Sequence, residues 1–394
     1  MNNHRRVLVT SVPAFIAAAL LVTLSAQPPV SPLEALVRRG MERTHAQGLA
    51  IAVVDEGQVT TVATWGRRNA KGDPLTRDTV MYGASLTKSV FAYTIAQLAE
   101  EGTIDLDRSI ADYLPRPLPH YTDAEDKYSA WQGLAGDERW RALTPRLLLN
   151  HSSGFANFYF LEPDGRLRIH FAPGTRYSYS GDGIILLQFV LERGLGLDVG
   201  REMQRRVFDR FGMANTSMMW RPDFAGNLAD GWRLDGQVEP HDERSTVRAA
   251  GSMDTTIADF AKFAAAFMRG DGLSPKARAD MIRPHLPIRT ASQFPVLQQD
   301  APAARQIAGL AAGLGLIVFD GPQGRGFQKG GHNDSTGNTW VCLEQRKRCV
   351  VILSNDVRAE PLFPGIVKLV LGDTGMPWHW EYGDVEWARD RARD

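Results

Sequence analysis

The stretch Leu86 to Ala99, LTKSVFAYTIAQLA, constrains the fold more than any other part of the chain. Val90, Phe91, Ala92, Ile95, Ala96, Leu98 and Ala99 cover far more of a helix than one narrow stripe, so this helix has to be enclosed on nearly all sides. Lys88 is its only charge. In the first turn it meets the positive end of the macrodipole, and burial further disfavours an ammonium. Both effects lower its pKa toward what a base needs near neutral pH. Ser85 stands three residues ahead of Lys88, a spacing that puts both side chains on one face. Ser85 is then a candidate nucleophile and Lys88 its base. The same pair also reads as a helix cap and a lysine that snorkels to the surface, because Ser-x-x-Lys strings are common by chance.

With 394 residues the chain is long enough for a large core in a two-part architecture. Its 45 basic residues balance 45 acidic ones, with no long run of like charge, which argues against a nucleic-acid partner. At the N-terminus, Arg5 and Arg6 precede an apolar stretch from Val7 to about Leu24 and small residues at Ser25 and Ala26. This predicts a signal peptide over residues 1–26 and export to the periplasm or the extracellular space. The length of the apolar stretch also allows an uncleaved anchor, the one route by which this chain meets a membrane. Cys342 and Cys349 lie in apolar, strand-like runs around the polar Gln345 to Arg348. A hairpin folded there sets the two cysteines opposite each other, as a cross-strand disulfide or as two small buried thiols.

In chain order, Pro32 to His45 reads as a short helix, and Leu49 to Val54 with Val59 to Trp65 as a hairpin. The segment from Arg116 to Trp140 carries Tyr121, Tyr128, Trp131 and Trp140 among many charges without a clear period, and is read as a surface insertion with exposed aromatics beside a pocket. Gly183 to Val190 is a buried helix preceded by Tyr177-Ser178-Tyr179-Ser180-Gly181. Those hydroxyls either cap and pack or, for Tyr179, join Ser85 and Lys88 in one site. Ile257 to Met268 is a helix with Phe260, Phe263 and Phe267 on one side. Gly313 to Phe319, Gly326 to His332 and the cysteine hairpin read as consecutive antiparallel strands, followed by a last helix from Pro364 to Leu371. Lys329 heads the glycine pair Gly330-Gly331, where a backbone can approach a ligand closely, although an edge-strand lysine that blocks aggregation fits the same pattern.

The order Ser85-Leu86-Thr87-Lys88, Tyr179-Ser180-Gly181, Lys329-Gly330-Gly331 resembles the three motifs of the serine β-lactamase and penicillin-binding-protein superfamily. It is most similar to the class C enzymes and their related esterases and D-aminopeptidases. LAEEGTIDLD, LLLNHSSGF, FAPGTRYSYS, AAGSMDTTIADFAKF and VVILSND add to the likeness, which covers most of the chain after residue 26. The resemblance implies an α/β (α+β) sandwich over residues 32–385. An antiparallel sheet built from both ends of the chain is flanked by helices, with an all-α region inserted over about 103–250. It implies that Ser85 attacks an acyl carbonyl and that Lys88 and Tyr179 share the proton transfers. Lys329 orients the substrate and raises the acidity of Tyr179, and the backbone N–H groups of Ser85 and His332 form the oxyanion hole. Lys329, Gly330, Gly331 and Gly181 would line the substrate site.

Two departures from the family pattern bear on substrate. Gly181 stands where the family carries asparagine, so an amide is missing, and restoring it with Gly181→Asn is expected to improve β-lactam turnover. Gly330 replaces a threonine whose hydroxyl would bind a substrate carboxylate, leaving Lys329 to attract an anion. The reading is therefore a monomeric, exported serine acyl hydrolase for esters, small amides or D-amino-acid peptides, with no metal or other cofactor. Its alternatives are a penicillin-binding or sensor-like protein that acylates without turnover, and a true class C-like β-lactamase. A Ser-His-Asp esterase is disfavoured because no G-x-S-x-G occurs, and a zinc hydrolase because no H-E-x-x-H occurs; of the nine histidines, His151 and His332 are placed near the cleft.

Overall fold

The computed structural model describes Met1, residues 31–122, Glu125 and residues 127–383. The expected signal segment, its first residue aside, and the last two positions of the domain expected over 32–385 lie outside the described residues. Eight antiparallel strands form the main sheet: β1 (Gly48–Asp55), β2 (Gln58–Gly66), β3 (Leu286–Pro287), β4 (Ala311–Ala312), β5 (Ile317–Gly321), β6 (Gly324–His332), β7 (Gly337–Leu343) and β8 (Arg348–Ser354). Their spatial order is β2-β1-β8-β7-β6-β5-β4-β3. The two ends of the chain are thus joined inside one sheet, with Leu49 paired to Ser354.

Both faces of this sheet are buried, and the alternation of side chains sorts them into two cores. Ala50, Ala52, Trp340, Val351 and Leu353 face one core; Leu49, Ile51, Val341, Val350 and Ile352 face the other. Six helices matter for the site: α1 (Pro32–Thr44), α2 (Leu86–Glu100), α3 (Gly181–Phe189), α4 (Ile257–Arg269), α5 (Phe363–Leu371) and α6 (Trp378–Tyr382). Residues of α1, α5 and α6 close the second core, while α2, α3 and α4 belong to the first. Every residue of α2 from Leu86 to Leu98 is buried, as its all-round apolar sequence requires. Phe260, Phe263 and Phe267 of α4 surround the Trp340 ring at centroid distances of 5.6, 5.5 and 5.3 Å, which fastens α4 to the centre of the sheet.

Two expectations change. Tyr121, Tyr128, Trp131 and Trp140 are buried rather than exposed, and the first three pack around Phe189 of α3 at 4.9, 4.9 and 5.4 Å. They sit in and between 3-10 turns such as Trp131–Leu134 and Glu138–Ala142, whose three-residue repeat leaves no 3.6-residue signature. The chain also does not end its helices at Leu371. It turns back into α6, where the fully buried Trp380 donates its indole N–H to Thr290 Oγ1 at 3.2 Å. Cys342 and Cys349 are directly paired across β7 and β8 and joined as a disulfide. Among the described residues no helix is long and apolar enough to cross a membrane.

Candidate active site

The turn that leads into α2 is held by the segment that leads into α4. Met81 and Tyr82 pair with Thr255 and Asp254, and Gly83 donates its N–H to Met253 O at 2.9 Å. Asn338 of β7 donates its side-chain amide to Tyr82 O at 3.0 Å, so the sheet fixes the same turn from the other side. Ala84 adopts φ +47°, a left-handed conformation that costs an L-residue on the order of 1 kcal/mol. Thr87 Oγ1 and Thr87 N–H both donate to Ala84 O and hold this conformation in place. The Ser85 backbone N–H has no acceptor among the described residues.

Ser85 Oγ accepts hydrogen bonds from Lys88 Nζ at 3.0 Å and from Tyr179 Oη at 2.8 Å. Lys88 does not snorkel: it is 1 % exposed and donates its other hydrogen bond to Ala250 O. Burial pushes its pKa well below the usual lysine value, and the nearby Lys329 adds to the effect. Tyr179, buried at the entrance of α3, is likewise not merely a cap. Burial holds its phenol above the ordinary value, with the Ser85 hydrogen bond acting the other way. Loss of solvent around the phenolate thus outweighs the acidifying influences on Tyr179.

Lys329 is 3 % exposed and so not a lysine turned to solvent; its Nζ donates to Gly330 O at 2.7 Å and to Tyr179 Oη at 3.5 Å. Burial lowers its pKa to about 8, against the attraction of the Glu381 carboxylate. β6 pairs with β7 as far as His332 but with β5 only as far as Gln328. One edge of Lys329 to His332 is thus free of sheet partners among the described residues. A β-carbon on Gly331 would stand 3.1 Å from Ser85 N and 2.9 Å from Leu86 N, so the strand lies against the head of α2 only because residue 331 is glycine. His332 at the strand's end places Nδ1 3.2 Å from Glu360 Oε1. Partial loss of solvent opposes a charged ring there, although 41 % of the side chain is exposed, yet the Glu360 carboxylate prevails and raises the imidazole's pKa.

Three further residues complete the surroundings, and of these the sequence placed only His151 near the cleft. His151 is 2 % exposed and stacks on Tyr179 with centroids 4.5 Å apart, while its Nδ1 accepts from Ser180 N at 3.2 Å. Burial, then Lys88 and Lys329, push its pKa well below the usual histidine value, so the ring is neutral. Glu381 from α6 reaches the far side of Gly330. Phe158 covers Gly181: its Cε1 and Cζ lie 2.3 and 2.4 Å from where a β-carbon would stand. Gly181 accordingly does not line the cavity, contrary to its expected place in the substrate site, and Phe158 does. A sequence scan had no signal for these contacts beyond the glycines themselves.

Ser85, Lys88, Tyr179, Lys329, Gly330, Gly331 and His332 line one open cavity of about 990 Å³. Among the described residues there is no group of three or more His, Cys, Asp or Glu side chains arranged to hold a metal ion. The site thus joins a hydroxyl, a buried amine of lowered pKa, a protonated phenol and a free strand edge, a set suited to acyl transfer.

Relatives agree with this architecture. A lovastatin esterase from Penicillium rubens is 27% identical over 254 residues, which is 54% of this chain and 61% of that protein. A D-aminopeptidase from Brucella anthropi is 26% identical over 216 residues, or 50% of this chain and 37% of its own. The matches thus span less than two thirds of either relative. In structure, the chain superposes on the octameric penicillin-binding protein homologue from Pyrococcus abyssi with a TM-score of 0.67 at 20% identity, covering 88% of this chain and 78% of that one. The sequence profile of the family described as Beta-lactamase matches residues 33–368, and this chain belongs to that family.

Proposed function

We propose that this protein is an exported acyl hydrolase that works through a covalent acyl-enzyme on Ser85, with an ester, small amide or D-amino-acid peptide as its substrate. The observation that carries the reading is the double contact on Ser85 Oγ, from Lys88 Nζ at 3.0 Å and Tyr179 Oη at 2.8 Å. Lys88, whose buried amine has a pKa well below the usual lysine value, takes the proton of Ser85 as Oγ bonds to the acyl carbon. The carbonyl oxygen becomes an oxyanion held by the backbone N–H groups of Ser85 and His332. As the leaving group departs, Tyr179 gives it a proton; a phenol held above its ordinary pKa keeps that proton until then. Lys88 and Tyr179 between them carry one proton from Ser85 to the leaving group, and they titrate as a pair. Water then attacks the acyl carbon and frees Ser85. Residues 1–26 direct export, and the hydrolase domain spans 32–385 with its helical insertion over about 103–250.

The esterase and the D-aminopeptidase named above support the substrate range. A second reading, a penicillin-binding or sensor-like protein that acylates without turnover, is favoured by Phe158, which fills the place of the family's amide. The decisive experiment follows wild type and Ser85→Ala with p-nitrophenyl acetate, a chromogenic cephalosporin and a D-alanyl amide, and records intact mass during turnover. Wild type should hydrolyse at least one substrate and gain an acyl mass that hydroxylamine removes; Ser85→Ala should lose at least about a thousandfold in kcat/KM. Full activity in Ser85→Ala would end this reading. A stable cephalosporoyl adduct with no hydrolysis of any substrate would replace it with the second.

A further inference from the structure

Glu381 lies on α6, beyond residue 368, where the match to the family profile ends. Its carboxylate is 5 % exposed and lines the cavity. Oε2 accepts from Gln328 Nε2 at 2.7 Å, which fixes the group against β6. Oε1 sits 2.2 Å from where a β-carbon of residue 330 would stand. Gly330 is therefore more than a missing hydroxyl, because the space that a threonine would need holds a carboxylate. Two residues along the same strand, His332 is paired with a second carboxylate, Glu360. Lys329 and His332 on the free edge thus each have a carboxylate nearby, which offsets the positive character of the flank.

We propose that Glu381 makes this flank a subsite that bars a carboxylate and admits acyl donors whose group beside the scissile bond is uncharged or cationic. The inference rests on the reading of Ser85 as nucleophile. A substrate carboxylate laid along Lys329 to His332 meets a fixed like charge in a poorly solvated wall, where such repulsion is strong. An ammonium or a neutral group meets no such opposition. On this proposal Lys329 is not free to collect an anion, because the Glu381 carboxylate acts on its charge.

The test uses three phenyl acetates with a carboxylate, a carboxamide or a trimethylammonium group in the meta position, each rate normalised to spontaneous hydrolysis of the same ester. Wild type should favour the carboxamide and trimethylammonium esters over the carboxylate by at least tenfold in kcat/KM. In Glu381→Gln, which keeps the size of the side chain, the trimethylammonium-to-carboxylate ratio should fall at least tenfold. Glu381→Ala should move the ratio the same way, so the comparison survives if one variant folds poorly. A wild-type preference for the carboxylate, or a ratio that shifts less than threefold in whichever variants retain the circular dichroism of wild type, overturns the proposal. Ser85→Ala is run in parallel. If it abolishes hydrolysis of all three esters while the ratio ignores Glu381, only the subsite falls. If hydrolysis persists in Ser85→Ala, the reading of the nucleophile falls as well.

Discussion

Phe158 Cζ lies 2.4 Å from the position that a β-carbon on Gly181 would occupy. The ring is stacked on Phe160 at 5.2 Å and is therefore not free to swing away without loss. Glycine at 181 and phenylalanine at 158 are two halves of one packing arrangement.

It follows that Gly181→Asn alone does not restore an amide to the site. The added side chain must displace Phe158, and overpacking of this kind costs about 1–3 kcal/mol. The double change Phe158→Ala with Gly181→Asn opens the space and should recover part of that loss. Melting temperatures of the wild type, both single variants and the double variant give the coupling between the positions. Strict additivity would show that the two residues do not compete for space. Hydrolysis of a chromogenic cephalosporin should rise in the double variant only.

Lys329 gives a stability signature with a defined sign. Its pKa is about 8 in the folded chain against an ordinary 10.5, so between these values the unfolded chain binds more protons. Stability owed to this residue therefore rises with pH across that window, and its full cost is present below pH 8. Lys329→Met removes the cost. The gap in unfolding free energy between Lys329→Met and wild type should shrink by roughly 3 kcal/mol from pH 7.5 to pH 10.5. Urea titrations at four pH values measure it, and parallel curves would contradict the burial of a charge at this position.

His151 acts on Tyr179 and does not touch the cavity, so its effect should separate from binding. His151→Phe keeps a ring against Tyr179 but leaves the Ser180 N–H without its acceptor, at a cost of about 1–3 kcal/mol. With the phenol less firmly aimed at Ser85, kcat should fall about tenfold or more while KM changes little. Equal changes in both constants would make His151 a substrate-binding residue instead. His151→Asn, which can still accept from that N–H, should recover more stability than activity.

The elements of the fold that are written as local pattern were legible before any coordinates. α2 announces itself by being apolar all round, β1 and β2 by alternation, and the pairing of Cys342 with Cys349 by the symmetry of the hairpin. The meeting of Ser85, Lys88, Tyr179 and Lys329 was anticipated through the family likeness and not through spacing, since 244 residues separate the first from the last. What could not be read depends on contacts between distant segments. Gly181 and Gly330 signalled absent side chains, but the identities of the groups filling those spaces, Phe158 and Glu381, come from a loop and from α6. The aromatic residues near Trp131 looked exposed because 3-10 turns hide the period by which burial is usually recognised.

The joining of Leu49 to Ser354 in one sheet has a consequence for the protein's birth. Ser85 and Tyr179 leave the ribosome long before the strand that carries Lys329, and β1 waits still longer for β8. Contacts of such sequence separation are slow to form, since the loop must close before any pairing rewards it. A chain cut short anywhere before Ser354 lacks the partner that lies between β1 and β7. Any activity that needs Lys329 beside Ser85 should therefore appear late and all at once, only after β8 has closed the sheet.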